Sequence, residues 1–107
     1  MRATSRLLQA CRITLFTREN CGLCTEARSV LSDVWDTRPF QFKEIDIIKY
    51  DSKHRWRDLY EFDVPVIHIS KSSASEEHPQ SASKAVKLMH RFTTDQVKAK
   101  MDLVEKA

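Results

Sequence analysis

The sequence predicts an α/β domain with a four-stranded mixed sheet in the order β-α-β-α-β-β-α, and three observations carry that expectation. An alternating apolar run at residues 12–17 is followed by an apolar stripe at helical spacing and then by a second strand-like run at 40–47, which makes a βαβ unit. A β-branched run, Val64-Pro65-Val66-Ile67-His68-Ile69, opens on a proline. A final amphipathic segment is announced by Thr93 and Gln96 at capping-box spacing, with Phe92 and Val97 at the spacing of a hydrophobic staple.

In the first strand, Cys11, Ile13 and Leu15 alternate with Arg12 and Thr14, and Phe16 closes the run. Cys11 is expected to be buried at its start and to behave as a small hydrophobe. From Cys21 onward, Leu23, Ala27, Val30, Leu31 and Val34 fall on one helical stripe that ends near Trp35. Asp36-Thr37-Arg38-Pro39 then stops the helix, because proline cannot continue it and disfavours helical backbone in the residue before it. In the second strand Phe40 and Phe42 face one way and Ile45 and Ile47 the other, as expected if both faces are at least partly covered. The right-handed crossover makes the two strands parallel and places the turn at Cys21 at the carboxyl end of the first strand.

A short helix is expected over 52–60, with Asp51 or Ser52 as its cap and Trp56, Leu59 and Tyr60 turned inward. A proline is tolerated in the first residues of the third strand, where no ladder hydrogen bond is lost. Residues 71–84 are small, polar and aperiodic, and read as a mobile polar loop much longer than the about 2–5 residues of an ordinary hairpin. Residues 85–89 form the fourth strand, and Val97, Met101 and Val104 supply the inward stripe of the last helix. The domain is expected to span 12–107, preceded by a flexible basic tail at 1–11.

Composition narrows the function. The chain has 107 residues and a net charge of +3, from 18 Lys and Arg against 15 Asp and Glu. This dispersed, mildly basic balance lacks a nucleic-acid footprint. No apolar run approaches the roughly 18 residues of a spanning helix, so no membrane partner is expected. Three cysteines and no secretory signal argue against a disulfide-stapled secreted scaffold. Arg2, Arg6, Arg12 and Arg18 with hydroxyl residues and no acid have the composition of a mitochondrial presequence, although the first strand leaves little room for one. Cytoplasm and mitochondrion are equally consistent with it.

The chemistry is expected at Thr17-Arg18-Glu19-Asn20-Cys21-Gly22-Leu23-Cys24. The backbone N–H groups in a helix's first turn lack intrahelical partners and carry partial positive charge, which favours a thiolate there. Cys21 is the candidate nucleophile, aided by Arg18 and opposed by Glu19, and Cys24 the resolving thiol three residues on.

Element order, Cys-x-x-Cys at the helix start and the downstream Val64-Pro65 together resemble the thioredoxin fold in its minimal, glutaredoxin-like form. Residues 15–24, 63–68 and 88–92 are similar in particular to a small eukaryotic subgroup of glutaredoxin-like proteins. The resemblance implies a three-layer fold and a thiol-disulfide oxidoreductase acting on a disulfide-containing protein or small thiol, as a monomer. It further implies that Pro65 is cis and beside the dithiol, that the backbone of Val64 pairs with the bound substrate, and that Arg18 takes the place of a lysine that contacts a glutathione carboxylate. The chief departure follows the fourth strand. Glutathione-binding relatives carry a Gly-Gly-x-Asp-like turn there, and this chain has Met89-His90-Arg91-Phe92-Thr93. Its single glycine is Gly22. Side chains at that turn oppose close backbone approach by a peptide, which counts against glutathione, while His90 and Arg91 offer other anion contacts.

Two other classes stay open. Glutaredoxin-fold proteins with a Cys-Gly start can bridge an iron–sulfur cluster, and a dithiol also suits Zn or Cu(I). Against a closed metal site, Cys11, His54, His68, His78 and His90 are scattered along the chain, each reading as a surface or satisfied side chain, so no metal ligand is assigned. The third class is a non-catalytic adaptor that binds a partner at the Val64-Pro65 edge.

Overall fold

Alternation in the first apolar run becomes strand β1 (Cys11–Thr17), buried along its whole length, in a computed structural model of the chain. The structure describes residues 10–49 and 55–106. The expected tail and targeting composition at 1–9, the helix cap at Asp51 or Ser52, and His54 lie outside the described residues. After β1 come α1 (Gly22–Thr37), β2 (Gln41–Asp46), α2 (Arg55–Tyr60), β3 (Val66–Lys71), a 3-10 helix (Pro79–Lys84), β4 (Val86–Met89) and α3 (Thr94–Lys106). This is the expected β-α-β-α-β-β-α order with one added 3-10 element.

The sheet order is β2-β1-β3-β4. β1 is parallel to β2 and antiparallel to β3, and β3 is antiparallel to β4. Period-two alternation divides the side chains between two cores. Ile13, Leu15, Ile67 and Ile69 pack with Ala27, Leu31 and Val34 of α1 and with Val97, Met101 and Val104 of α3. On the opposite face Phe16, Ile47 and Val66 pack with Trp56, Tyr60 and Ala82. The chain therefore forms three layers, with the sheet in the middle. The final helix starts as its signature requires: Gln96 N–H donates to Thr93 Oγ1 at 3.1 Å and Thr93 N–H to Gln96 Oε1 at 2.9 Å. Thr93→Ala is expected to lower stability by about 1 kcal/mol, measured by chemical denaturation.

Three local expectations are revised. Leu59 is not turned inward but is 42% exposed, while Trp56 and Tyr60 are buried. Each residue steps about 100° around a helix, so the face centred on Trp56 and Tyr60 swings Leu59 aside. Helix α1 runs to Thr37 rather than ending near Trp35, and the N–H of Arg38 closes it on Val34 O. The polar segment 71–84 is not an irregular loop throughout. It holds the 3-10 helix, buries Ala82, and is bonded to β1 and β3 through Glu77.

Candidate dithiol site

Strand β1 ends at Thr17, and the chain turns through Arg18, Glu19 and Asn20 before Gly22 opens α1. Asn20 takes φ 58°, a left-handed conformation that asparagine adopts more readily than most residues. The turn leaves Cys21 in extended backbone as the N-cap of α1, its Sγ accepting the N–H of Cys24 at 3.1 Å. No acidic residue occupies the first turn of α1, so the partial positive charge of the helix start is unopposed within that turn. Cys21 and Cys24 form a disulfide with Cα atoms 5.2 Å apart. Cys21 is half-buried, whereas Cys24 is fully buried. A Cβ at Gly22 would meet nothing within 4 Å, so intramolecular packing does not demand glycine there.

Beside this turn runs the chain leading into β3. Phe16 pairs with Val66, which brings Val64-Pro65 to the carboxyl edge of β1. The Val64–Pro65 peptide bond is cis. Pro65 O accepts the N–H of His90 at 2.8 Å, so the turn after β4 is tied to the same loop. His90 has φ 65° at the turn where the resemblance implied glycines, and its Nε2 lies 3.5 Å from Asp63 Oδ1. Arg91 is exposed. Arg18 reaches across rather than toward the dithiol, donating from Nη1 to Glu61 O at 3.2 Å. Glu19 faces Lys49 at 4.0 Å. The fold thus gathers Arg18, Cys21, Cys24, Val64, Pro65, His90 and Arg91 at one edge of the sheet.

Cys11, His68 and His78 do not join them. Cys11, at the opposite end of β1, is fully buried and donates from Sγ to Glu105 Oε2 at 3.2 Å. Burial first, then the Glu105 carboxylate, push its pKa up to about 12. His78 is exposed at the start of the 3-10 helix. Among the described residues, no group of three or more His, Cys, Asp or Glu is placed to hold a metal ion.

Two networks gave no sequence signal of their own. Next to the dithiol helix, Glu44 of β2 accepts from Thr17 Oγ1 at 3.0 Å and from Arg28 Nη2 at 2.7 Å. The Arg28 guanidinium is the main cause of its lowered pKa. On the α2 face, buried His68 bridges Tyr60 and Glu77, with Nε2 2.7 Å from Tyr60 Oη and Nδ1 2.7 Å from Glu77 Oε1. A neutral imidazole protonated on Nδ1 satisfies both contacts, donating to the carboxylate and accepting from the phenol. Arg12, also buried, donates to Glu77 Oε2 at 3.1 Å, to Ala74 O at 2.9 Å and to Ser75 O at 2.7 Å. The bond to His68 and the Arg12 guanidinium hold the Glu77 carboxyl below the usual range despite its burial.

A three-layer fold with a Cys-x-x-Cys disulfide at a helix start defines a thioredoxin-fold dithiol protein. More narrowly, residues 12–102 match the glutaredoxin-like domain (DUF836) family model, and the chain belongs to that family. Solved structures agree in fold. A structural-genomics target protein from X. campestris is 23% identical, with 85% of this chain and 96% of that chain covered and a TM-score of 0.58. Thioredoxin 1 from Thermosipho africanus is 16% identical over 89% and 94% of the two chains, with a TM-score of 0.61. A chloroplastic thioredoxin z is 17% identical over 97% and 84%, with a TM-score of 0.66.

Proposed function

We propose that the protein is a thiol-disulfide oxidoreductase with Cys21 as nucleophile and Cys24 as resolving thiol. The observation that carries this reading is the N-cap placement of Cys21, half-exposed, with the Cys24 N–H donated to its sulfur. In the dithiol form the same donor and the helix start favour the Cys21 thiolate. The thiolate attacks one sulfur of a substrate disulfide. A Cys21–substrate S–S bond forms, the substrate's own S–S bond breaks, and the departing thiolate takes a proton from solvent. Cys24, deprotonated to solvent, then attacks Cys21 Sγ. This releases the second substrate thiol and leaves the Cys21–Cys24 disulfide, with two electrons transferred. An external dithiol or two monothiols must restore the reduced form.

Val64, whose backbone precedes the cis Pro65, is the residue assigned to pair with the substrate chain, and Arg91 and His90 are the side chains available to contact an anionic group on it. Glutathione is the less suited reductant. Arg18 is engaged with Glu61 O, and His90 fills the turn that glycine would leave open.

The test is alkylation of the reduced protein against pH, read by mass spectrometry of each cysteine. Cys21 is expected to react with an apparent pKa within about 3.5–7.5, and Cys11 to remain unmodified until the chain unfolds. A Cys21 profile centred near ~8.5, the value of a free thiol, would remove the activated nucleophile.

A further inference from the structure

Most titratable groups on the loops around the dithiol are engaged with one another, at single contacts. Arg18 donates to Glu61 O at 3.2 Å, Glu19 faces Lys49 at 4.0 Å, and His90 lies 3.5 Å from Asp63. Asp46 turns its carboxylate onto the N–H groups of Ile48 and Lys49, each at 2.9 Å. Arg91 is exposed on the turn after β4, and Glu26 is exposed on α1 beyond its first turn. The pair formed by Glu44 and Arg28 differs from all of these, because it joins the two elements between which the dithiol turn is strung.

One carboxylate makes the whole connection. Glu44 accepts from Oγ1 of Thr17, the last residue of β1, at 3.0 Å. It also accepts from Arg28 of α1, Nε to Oε1 at 3.2 Å and Nη2 to Oε2 at 2.7 Å. This two-pronged contact fixes the plane of the guanidinium as well as its distance. Cys21, Cys24 and Arg28 fall at i, i+3 and i+7, hence on one side of α1, with Arg28 about 10 Å beyond Cys21 along the axis. Side chains on a helix lean toward its N-terminus, so the guanidinium leans toward the dithiol. The Arg28 bond holds the Glu44 carboxyl below its usual range, so both partners are charged at neutral pH. A unit charge at this separation, near the screening length of about 8–10 Å, is felt by a thiolate.

We propose that the Glu44–Arg28 pair sets the acidity of Cys21, with Arg28 as a cation held on the dithiol side of α1 and Glu44 as the positioning residue that holds it there and offsets its charge. This rests on the oxidoreductase reading and adds to it the groups that tune its nucleophile. The two partners act in opposite senses. Loss of Glu44 removes an anion and leaves the guanidinium uncompensated, which favours the thiolate, whereas loss of Arg28 leaves the carboxylate uncompensated, which disfavours it. A contact that only braced the turn would be weakened equally from either side.

The test follows alkylation of Cys21 by neutral iodoacetamide against pH in the reduced full-length protein, resolved by mass spectrometry. Glu44→Gln, which keeps an oxygen for Thr17, is expected to move the midpoint down by about 0.5 pH unit, and Arg28→Gln to move it up by about as much. The double variant is expected to return to the wild-type midpoint. Asp36→Asn, the same charge change at the far end of α1, is expected to move it by less than about 0.1 pH unit. Shifts in one direction in both single variants, no shift in either, or an equal shift in Asp36→Asn would overturn the proposal. Should Glu44→Gln not fold, Arg28→Gln, at a half-exposed position, carries the test alone: a raised midpoint supports the proposal and an unmoved one overturns it. A wild-type midpoint near ~8.5 would instead overturn the activated nucleophile of the oxidoreductase reading, in whichever direction the variants move.

Discussion

Cys21→Ser is expected to reduce disulfide turnover to the background rate of the reductant, a loss of several orders of magnitude. Cys24→Ser is expected instead to stop the reaction halfway. The asymmetry follows from position. Cys21 is half-exposed at the N-cap, where the Cys24 N–H is donated to its sulfur, while Cys24 is fully buried and meets only the Sγ of Cys21, already joined to the substrate. The hydroxyl of serine is too weak an acid to replace a thiolate at neutral pH, so no mixed disulfide forms in the first variant. In the second, the mixed disulfide forms and cannot be resolved from within the chain. Non-reducing electrophoresis and intact mass after incubation with a protein disulfide distinguish the two. An adduct on Cys24→Ser and none on Cys21→Ser is the expected result. The opposite pattern would exchange the assigned roles, and turnover by both variants would exclude the dithiol from the reaction.

Glu77→Ala is expected to be the most destabilising single substitution away from the two apolar cores. Glu77 is the counter-charge of Arg12, whose side chain is 8% exposed, and the hydrogen-bond acceptor for buried His68. Removing it leaves a buried guanidinium with only the carbonyls of Ala74 and Ser75, and a buried imidazole N–H with no acceptor. Breaking a buried ion pair from one side costs about 3–5 kcal/mol. For a domain of this size, that lowers Tm by about 4–8 °C per kcal/mol. Glu77→Gln, which keeps a hydrogen-bonding oxygen, is expected to lose less. The same contact has a pH signature. Its folded-state pKa is depressed by His68 and Arg12, so its contribution to stability is present above its unfolded pKa. That contribution is lost as pH falls through the lower folded value. Urea denaturation from pH 7 downward is expected to show wild-type stability falling below about pH 4.5, with a shallower fall in Glu77→Gln. Equal slopes would mean that the carboxylate is not coupled to folding.

Local rules reached the elements and the reactive pair. Alternation and helical stripes depend on residues within one element, and the capping box at Thr93 and Gln96 is satisfied inside four consecutive residues, so each could be read along the chain. The dithiol was legible for the same reason: both cysteines and the turn that presents them are contiguous. Arg12, His68 and Glu77 were not, because a charged residue in an alternating strand reads as solvent-facing unless its partner is known. That partner lies 65 residues away, in a segment whose composition pointed to a mobile polar loop.

The turn at residues 18–24 shows the same division most closely. Its helix start, its two thiols and its place at the carboxyl end of β1 follow from residue order and the handedness of the crossover. What surrounds the thiols depends on which strand lies next to β1. Pairing of Phe16 with Val66 sets the Val64-Pro65 loop beside the dithiol, and Arg18 donates to Glu61 O. Those contacts join segments more than forty residues apart, so no periodicity encodes them: the resemblance implied that Pro65 lies beside the dithiol, and only the packed sheet decides the rest.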